Sequence, residues 1–339
     1  MKKLIALLLV LVMAIGLMAC SGNKTEEGTP AAATYAIVCK DASNPYMARM
    51  VQGFKEACTK LGVTGLEKSP ETTSAEDQIA IINDLVAQNV KGIAIAANDA
   101  AALQATIKAA TDKGIAVVTL DSDTAGSQLF VNQAGVKEVA QVLVDSVYDM
   151  TGGAGQFAIL SASSTATNQN AWIAAMEEII EADDKYAELE WVETVYGDDE
   201  SQKSTDEMQN LMTKYPDLKV VCCPTTVGVL AAAQVVTNNP DCGIKIAGLG
   251  LPSEMKDYVG EDKACPYMYL WNPIDVGNCA AYMIKAIIDG KVGEVGTEFT
   301  ADNGTTYEIA AGDPAAKQII VGPPFAFTGE NIADWAGVY

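Results

Sequence analysis

Short apolar runs alternate with amphipathic helical patterns along this chain, and that alternation limits the fold more than any other feature. Residues 34–39 read as an apolar strand that stops at Lys40-Asp41-Ala42-Ser43. A helix follows: Asn44 can cap it, Pro45 suits its first turn, and Met47, Met50, Val51, Phe54, Cys58 and Leu61 recur every three or four residues until Gly62. Ser74 with Asp77 starts the next helix in the manner of a capping box, and Ile79, Ile82, Leu85 and Val86 form its buried stripe. Residues 92–97 are a strand, Asp99 opens a helix that runs to Lys113-Gly114, and residues 115–120 are a strand that ends at Asp121-Ser122-Asp123. Strands separated by helices of roughly 10 to 15 residues imply parallel pairing through right-handed crossovers.

The chain is expected to leave this first unit near residues 130–133 and to repeat the pattern. Strands at 155–160, 190–196, 220–223 and 244–248 alternate with helices around 172–180, 204–214 and 228–236. The expected fold class is therefore α/β, with two similar Rossmann-like open parallel sheets. Such sheets bind ligands beyond the carboxyl ends of their strands. Those ends carry Lys40 to Tyr46, Ala97-Asn98, Asp121 to Asp123, Ser161 to Trp172, Pro224-Thr225-Thr226 and Leu249 to Pro252. Amides, hydroxyls, a carboxylate and a lysine near aromatic rings suit a small neutral polyol: polar groups bond its hydroxyls while a ring covers its C–H face.

Each candidate also has a plainer explanation. Lys40 could be a surface lysine, Asp121 a turn cap (a role that suits Asp123 better), and Asn168 beside Gln169 a helix N-cap. Trp172 and Tyr46 fit packing as well as ligand contact, whereas Met47, Met50, Met176 and Met208 lie on helical stripes and read as core. Gly248-Leu249-Gly250 lacks the third glycine and acidic partner of a dinucleotide site, and Asp198-Asp199-Glu200 supplies too few ordered oxygens for calcium. Asn303-Gly304-Thr305 matches a glycosylation acceptor, a three-residue pattern that carries little weight by itself.

Composition removes several function classes. The chain has no histidine and no C-x-x-C motif, so a transition-metal or zinc site, and the usual histidine base for a serine or cysteine nucleophile, are not expected. No cofactor, metal or catalytic residue is assigned. Beyond Cys20 there are seven cysteines, an odd number that cannot all pair; buried small hydrophobes explain Cys39, Cys58, Cys222 and Cys223, and a bridge between Cys242 and Cys265 is an open option. The formal charge is −22, or −24 without Lys2 and Lys3, which disfavours a nucleic-acid partner. A glycosidase would need two carboxylates facing across the cleft; opposite Asp121 the expected wall offers amides and hydroxyls rather than a second acid.

The first 19 residues have a positive start at Lys2-Lys3, an apolar run over 4–17, and a close at Leu17-Met18-Ala19-Cys20. This resembles a bacterial lipoprotein signal, in which Cys20 would carry the lipid. Residues 20–33 are small and polar, with Gly22, Gly28 and Pro30, and read as a flexible tether. The expected location is outside the cytoplasm, anchored to the cell membrane. No later apolar run is long enough to span a bilayer.

Longer strings carry a family resemblance. Asn168-Gln169-Asn170-Ala171-Trp172, Pro224 through Gln234, Gly248 through Lys256, Trp271-Asn272-Pro273-Ile274-Asp275, and the tail from Gly322-Pro323-Pro324-Phe325 to Asn331-Ile332 resemble the rhamnose-binding proteins of bacterial ABC importers. These are periplasmic binding proteins of the ribose type. Asp121-Ser122-Asp123-Thr124 and Val131-Asn132-Gln133 look closer to a sister group, the receptors for the furanosyl signal autoinducer-2. That group's ligand contacts fall on Lys40, Asp121, Asn168, Gln169, Pro224 (through its carbonyl) and Thr226. Here Asn168 replaces an aspartate and Thr226 an alanine, so polarity changes at two of the six.

The resemblance implies a monomeric type I periplasmic binding protein with a three-crossover hinge. Residues 34–133 with 270–295 would form the N-terminal domain, and 134–269 with 296–339 the C-terminal one. Trp271 and Asn272 would then sit at a hinge crossing beside the cleft, joining Tyr46 and Trp172 as ligand-binding candidates. The implied partners are a small sugar, rhamnose first and autoinducer-2 second, and the permease subunits of an ABC importer. A glycoside-active enzyme and a sensor for a chemoreceptor or kinase are the competing classes.

Overall fold

A computed structural model describes residues 32–339. Residues 1–31, on which the expected leader at 1–19, the expected lipid attachment at Cys20 and most of the expected tether fall, lie outside the described residues.

The first lobe is built from β1 (Thr34–Val38), α1 (Pro45–Leu61), β2 (Thr64–Glu67), α2 (Ala75–Ala87), β3 (Gly92–Ile95), α3 (Ala100–Asp112), β4 (Ala116–Leu120) and β5 (Leu129–Asn132). The helix starts follow local chemistry. Asn44 Oδ1 accepts from the Tyr46 amide with Pro45 next to it, the Ser74 side chain accepts from the Asp77 amide, and that of Asp99 from the Ala102 amide. Gly62 closes α1 in the left-handed conformation, φ 69°, which glycine adopts without a Cβ penalty. Parallel strands run in the order β2-β1-β3-β4-β5, and those inside the β2 edge are buried on both faces: Ala36 and Val38 pack with Ile82, Leu85, Leu103 and Ile107, while Tyr35 and Ile37 join the core that includes α1.

The second lobe repeats this plan with α4 (Val136–Thr151), β6 (Gly155–Ser161), α5 (Thr167–Ala182), β7 (Leu189–Tyr196), α6 (Ser201–Lys214), β8 (Leu218–Cys223), α7 (Thr226–Asn238), β9 (Lys245–Gly248), α8 (Pro252–Met255) and β10 (Tyr267–Leu270). Its parallel sheet runs β7-β6-β8-β9. The chain then returns to the first lobe through α9 (Pro273–Ile288), which lies directly against α1. Glycines permit that approach: a Cβ at Gly53 would come within 1.9 Å of the Ile274 carbonyl oxygen, and one at Gly277 within 1.8 Å of the Met50 carbonyl oxygen.

After α9 come the hairpin β11 (Glu298–Thr300) and β12 (Thr306–Glu308), then β13 (Ala310–Ala311), β14 (Lys317–Ile320), β15 (Phe325–Thr328) and the short α10 (Ile332–Trp335). Residues 296–339 were expected to belong wholly to the second domain; the strands correct this. β14 pairs in parallel with β5, from Gln318 opposite Phe130 to Ile320 opposite Asn132, and β13 pairs with β14 at the sheet's edge. The reason is that β5 would otherwise present an unpaired row of backbone groups. Asp123 fastens the join by accepting from the Ala315 amide at 2.8 Å. Only at residues 321–324 does the chain cross back, and β15 then pairs antiparallel with β10. The lobes are thus joined at three places, near residues 133–135, 271–272 and 321–324.

All seven described cysteines are free, six are buried, and no bridge links Cys242 to Cys265. Burial pushes the Cys222 thiol up to about 12, as suits a small core side chain. Among the described residues no helix is long and apolar enough to cross a membrane.

Candidate functional site

The carboxyl ends of the strands in both lobes meet around a small cleft. In the first lobe a buried amide network places the polar groups. Gln78, fully buried on α2, donates to the carbonyls of Cys39 and Ala96 and accepts from the Asn98 amide, and Asn98 Nδ2 donates to the Lys40 carbonyl at 2.8 Å. The ends of β1 and β3 are therefore locked together, which fixes the start of the Lys40 side chain. Its Nζ lies 2.9 Å from Asp121 Oδ2, and both residues are buried. Asp121 holds the left-handed conformation at φ 61°, where aspartate is tolerated and where strain commonly marks a functional site.

Asn168 of α5 reaches this pair from the second lobe. Its Nδ2 donates to Asp121 Oδ2 at 3.2 Å, while its Oδ1 accepts from Ser122 Oγ at 2.9 Å and from Lys40 Nζ at 3.4 Å. Thr165 and Thr167 add hydroxyl bonds to the carbonyls of Asn98 and Asp123. The structure is accordingly a closed form. Asn168 is not the cap of its helix, since Ala166 occupies that position. Neighbouring Gln169 spends Oε1 on Ser161 Oγ and the Ala162 amide, so Nε2 is the group left for the cavity.

Aromatic side chains form the apolar wall. Trp271 Nε1 donates to Tyr46 Oη at 2.7 Å, and the Trp172 and Trp271 ring centres are 5.6 Å apart. Burial, reinforced by the Asp121 charge, pushes the Tyr46 phenol far up, so the ring stays neutral. Pro224, Thr225 and Thr226, at the corner between β8 and α7, line the second lobe's side with Leu249, and Leu270 lies beside Trp271.

Lys40, Tyr46, Asp121, Asn168, Gln169, Trp172, Pro224, Thr226 and Trp271 therefore converge on one cavity. Asn272 does not: its Oδ1 caps α9 by accepting from the Ile274 amide at 3.0 Å, so its side chain is occupied by the helix start. Asn44 and Met47 line the cavity while also capping α1 and packing in the core. Asp199 also lines it, which overturns the expected absence of a second acid. It lies in the loop after β7, so the same strand-end rule that selects Asp121 also reaches it.

Two hinged α/β lobes that close over a polar and aromatic cleft define a receptor of the solute-binding class. The periplasmic binding protein domain family matches residues 35–292, and the chain belongs to that family. It is 45% identical to an ABC transporter solute-binding protein from Clostridium phytofermentas solved with bound L-rhamnose, with a TM-score of 0.87 over 91% of this chain and 99% of that one. LsrB from Clostridium saccharobutylicum, in complex with AI-2, shares the fold at 22% identity and a TM-score of 0.82, over 89% of this chain and 99% of the other. The D-allose-binding periplasmic protein of Escherichia coli is 28% identical over 77% of this chain and 87% of its own length. By family, then, the chain is a substrate-binding protein and not an enzyme.

Proposed function

We propose that this protein is the extracytoplasmic receptor of an ABC sugar importer and that its ligand is a small neutral sugar, with L-rhamnose the first choice. The observation that carries the reading is the 45% identity, over nearly the whole chain, to a protein solved with L-rhamnose. The cleft supports it chemically. Lys40 can donate to a hydroxyl oxygen, Asp121 and Asn168 can accept or bridge hydroxyls, Gln169 offers an amide donor, and Trp172 with Trp271 can cover C–H groups. A ligand held by both lobes favours the closed form, which is the form a permease would recognise.

Autoinducer-2 is the second reading, because Lys40, Asp121, Gln169 and Pro224 stand where that group's contacts fall. Asn168 and Thr226 depart from its pattern, and both line the cavity. The mature protein would work as a monomer held to the membrane through a lipid on Cys20, with the following residues as a leash that raises its local concentration at the permease. Isothermal titration with L-rhamnose and with autoinducer-2 tests the cargo: one-to-one heat with L-rhamnose is expected, and heat with autoinducer-2 alone reverses the order. Metabolic labelling with palmitate tests the anchor. Label on the wild type and none on Cys20→Ser is expected; equal label on both rules the anchor out.

A further inference from the structure

Asp199 is the one carboxylate of the cleft whose charge has no cation of its own. Among the residues lining the cavity, Lys40 is the single cation, and Asp121 takes it in an ion pair at 2.9 Å. Asp199 is held otherwise. Thr225 Oγ1 donates to its Oδ1 at 2.7 Å, and among the described residues none donates to its Oδ2. Thr225 is the N-cap residue of α7, yet its hydroxyl makes no cap bond, being directed to Asp199 instead. The backbone has the same bias: Asp198 and Asp199 both sit at positive φ, 53° and 55°, in the left-handed region that Asp121 also occupies. Each lobe thus ends a strand with a left-handed aspartate at the cleft, one ion-paired and one not.

We infer that Asp199 determines specificity: its free oxygen accepts a hydrogen bond from a ligand hydroxyl, and its uncompensated charge restricts the cleft to neutral polyhydroxylated ligands. This rests on the sugar-receptor reading and narrows it. Sugar acids and sugar phosphates would bring a second negative charge to a site that already holds an excess of one. A hydroxyl supplies the proton that the carboxylate lacks, so a neutral sugar is attracted where an anion is repelled.

Burial pushes the Asp199 carboxyl up; Lys40 and the Thr225 hydroxyl oppose this, while Asp41 and Asp121 across the cleft add to it. Asp41 is itself engaged by the amides of Ser43 and Asn44. The sign of the pH effect follows. A hydroxyl donated by the ligand favours the ionised carboxylate, so the bound-state pKa is below the free-state value and affinity falls as pH falls through the latter.

The test is isothermal titration of the mature protein with L-rhamnose, autoinducer-2, D-ribose, D-allose, D-galacturonate and D-ribose 5-phosphate, from pH 7.5 down to 5. Asparagine accepts the left-handed backbone readily, so Asp199→Asn keeps the loop. The wild type is expected to bind a neutral member and neither anion, with affinity falling toward low pH. Asp199→Asn should lose at least tenfold and its share of the pH dependence, in line with a bond to a charged acceptor. Thr225→Ala, which releases the carboxylate without removing it, should lose less. Asp199→Asn within twofold of the wild type at every pH, or an anion bound as tightly as the neutral sugar, overturns the inference and leaves the receptor reading standing. Binding of no sugar at all sinks the receptor reading, and this inference with it.

Discussion

The two lobes share a fold but prepare their halves of the cleft differently. In the first lobe Gln78 and Asn98 fix the strand ends, and the Lys40–Asp121 pair is complete before any ligand arrives. In the second lobe the cavity receives single groups: the Asn168 amide, the Gln169 Nε2, the threonine corner and the unpaired Asp199. The contrast suggests a division of labour, with the first lobe as a preorganised platform and the second completing a ligand's hydrogen bonds on closure.

The largest effect is expected from breaking the platform. Asp121→Ala leaves the Lys40 ammonium buried and unpaired in the closed form, a change that costs about 3–5 kcal/mol for buried pairs. Binding should drop more than a hundredfold by titration, and thermal unfolding should move down. Asn168→Ala, by contrast, removes contacts that exist only when the lobes meet. About tenfold should be lost in affinity with the melting temperature of the empty protein nearly unchanged; an equal thermal loss would place Asn168 in the platform as well.

Smaller effects refine the picture. Trp271→Phe keeps a ring but deletes the N–H that meets Tyr46 Oη, so a several-fold loss is expected from a neutral hydrogen bond worth about 1 kcal/mol. Asn272→Ala should cost about 1 kcal/mol of stability, the usual value of a lost helix cap, with affinity within twofold. A tenfold loss of affinity in Asn272→Ala would return that side chain to the ligand.

The sequence was most readable where local chemistry decides. Asn44, Pro45 and Gly62 mark both ends of α1, and Ser74 with Asp77 starts α2. The helix α4 was missed in the sequence, although Val139, Leu143, Val144 and Val147 recur at helical spacing. The tail was not readable: β11 to β15 are two to four residues long, and β14 finds its partner in β5, nearly 190 residues earlier. Such pairing is set by a vacant sheet edge, which no local pattern reveals. The site shows the same split. Strand-end position selects Lys40, Asp121 and, applied to β7, Asp199; Asn272 was a candidate through its place at a hinge crossing beside the cleft, and it is the start of α9 that takes its side chain.

The central claim, a sugar held between a paired and an unpaired wall, is tested most directly by a crystal structure of the mature protein with L-rhamnose. The account expects one ring in the cleft against Trp172 and Trp271, its hydroxyls within hydrogen-bond distance of Lys40 and Asp121 on one side and Asn168 and Asp199 on the other. A sugar that touches one lobe only, or a cleft left empty at saturating L-rhamnose, would contradict it.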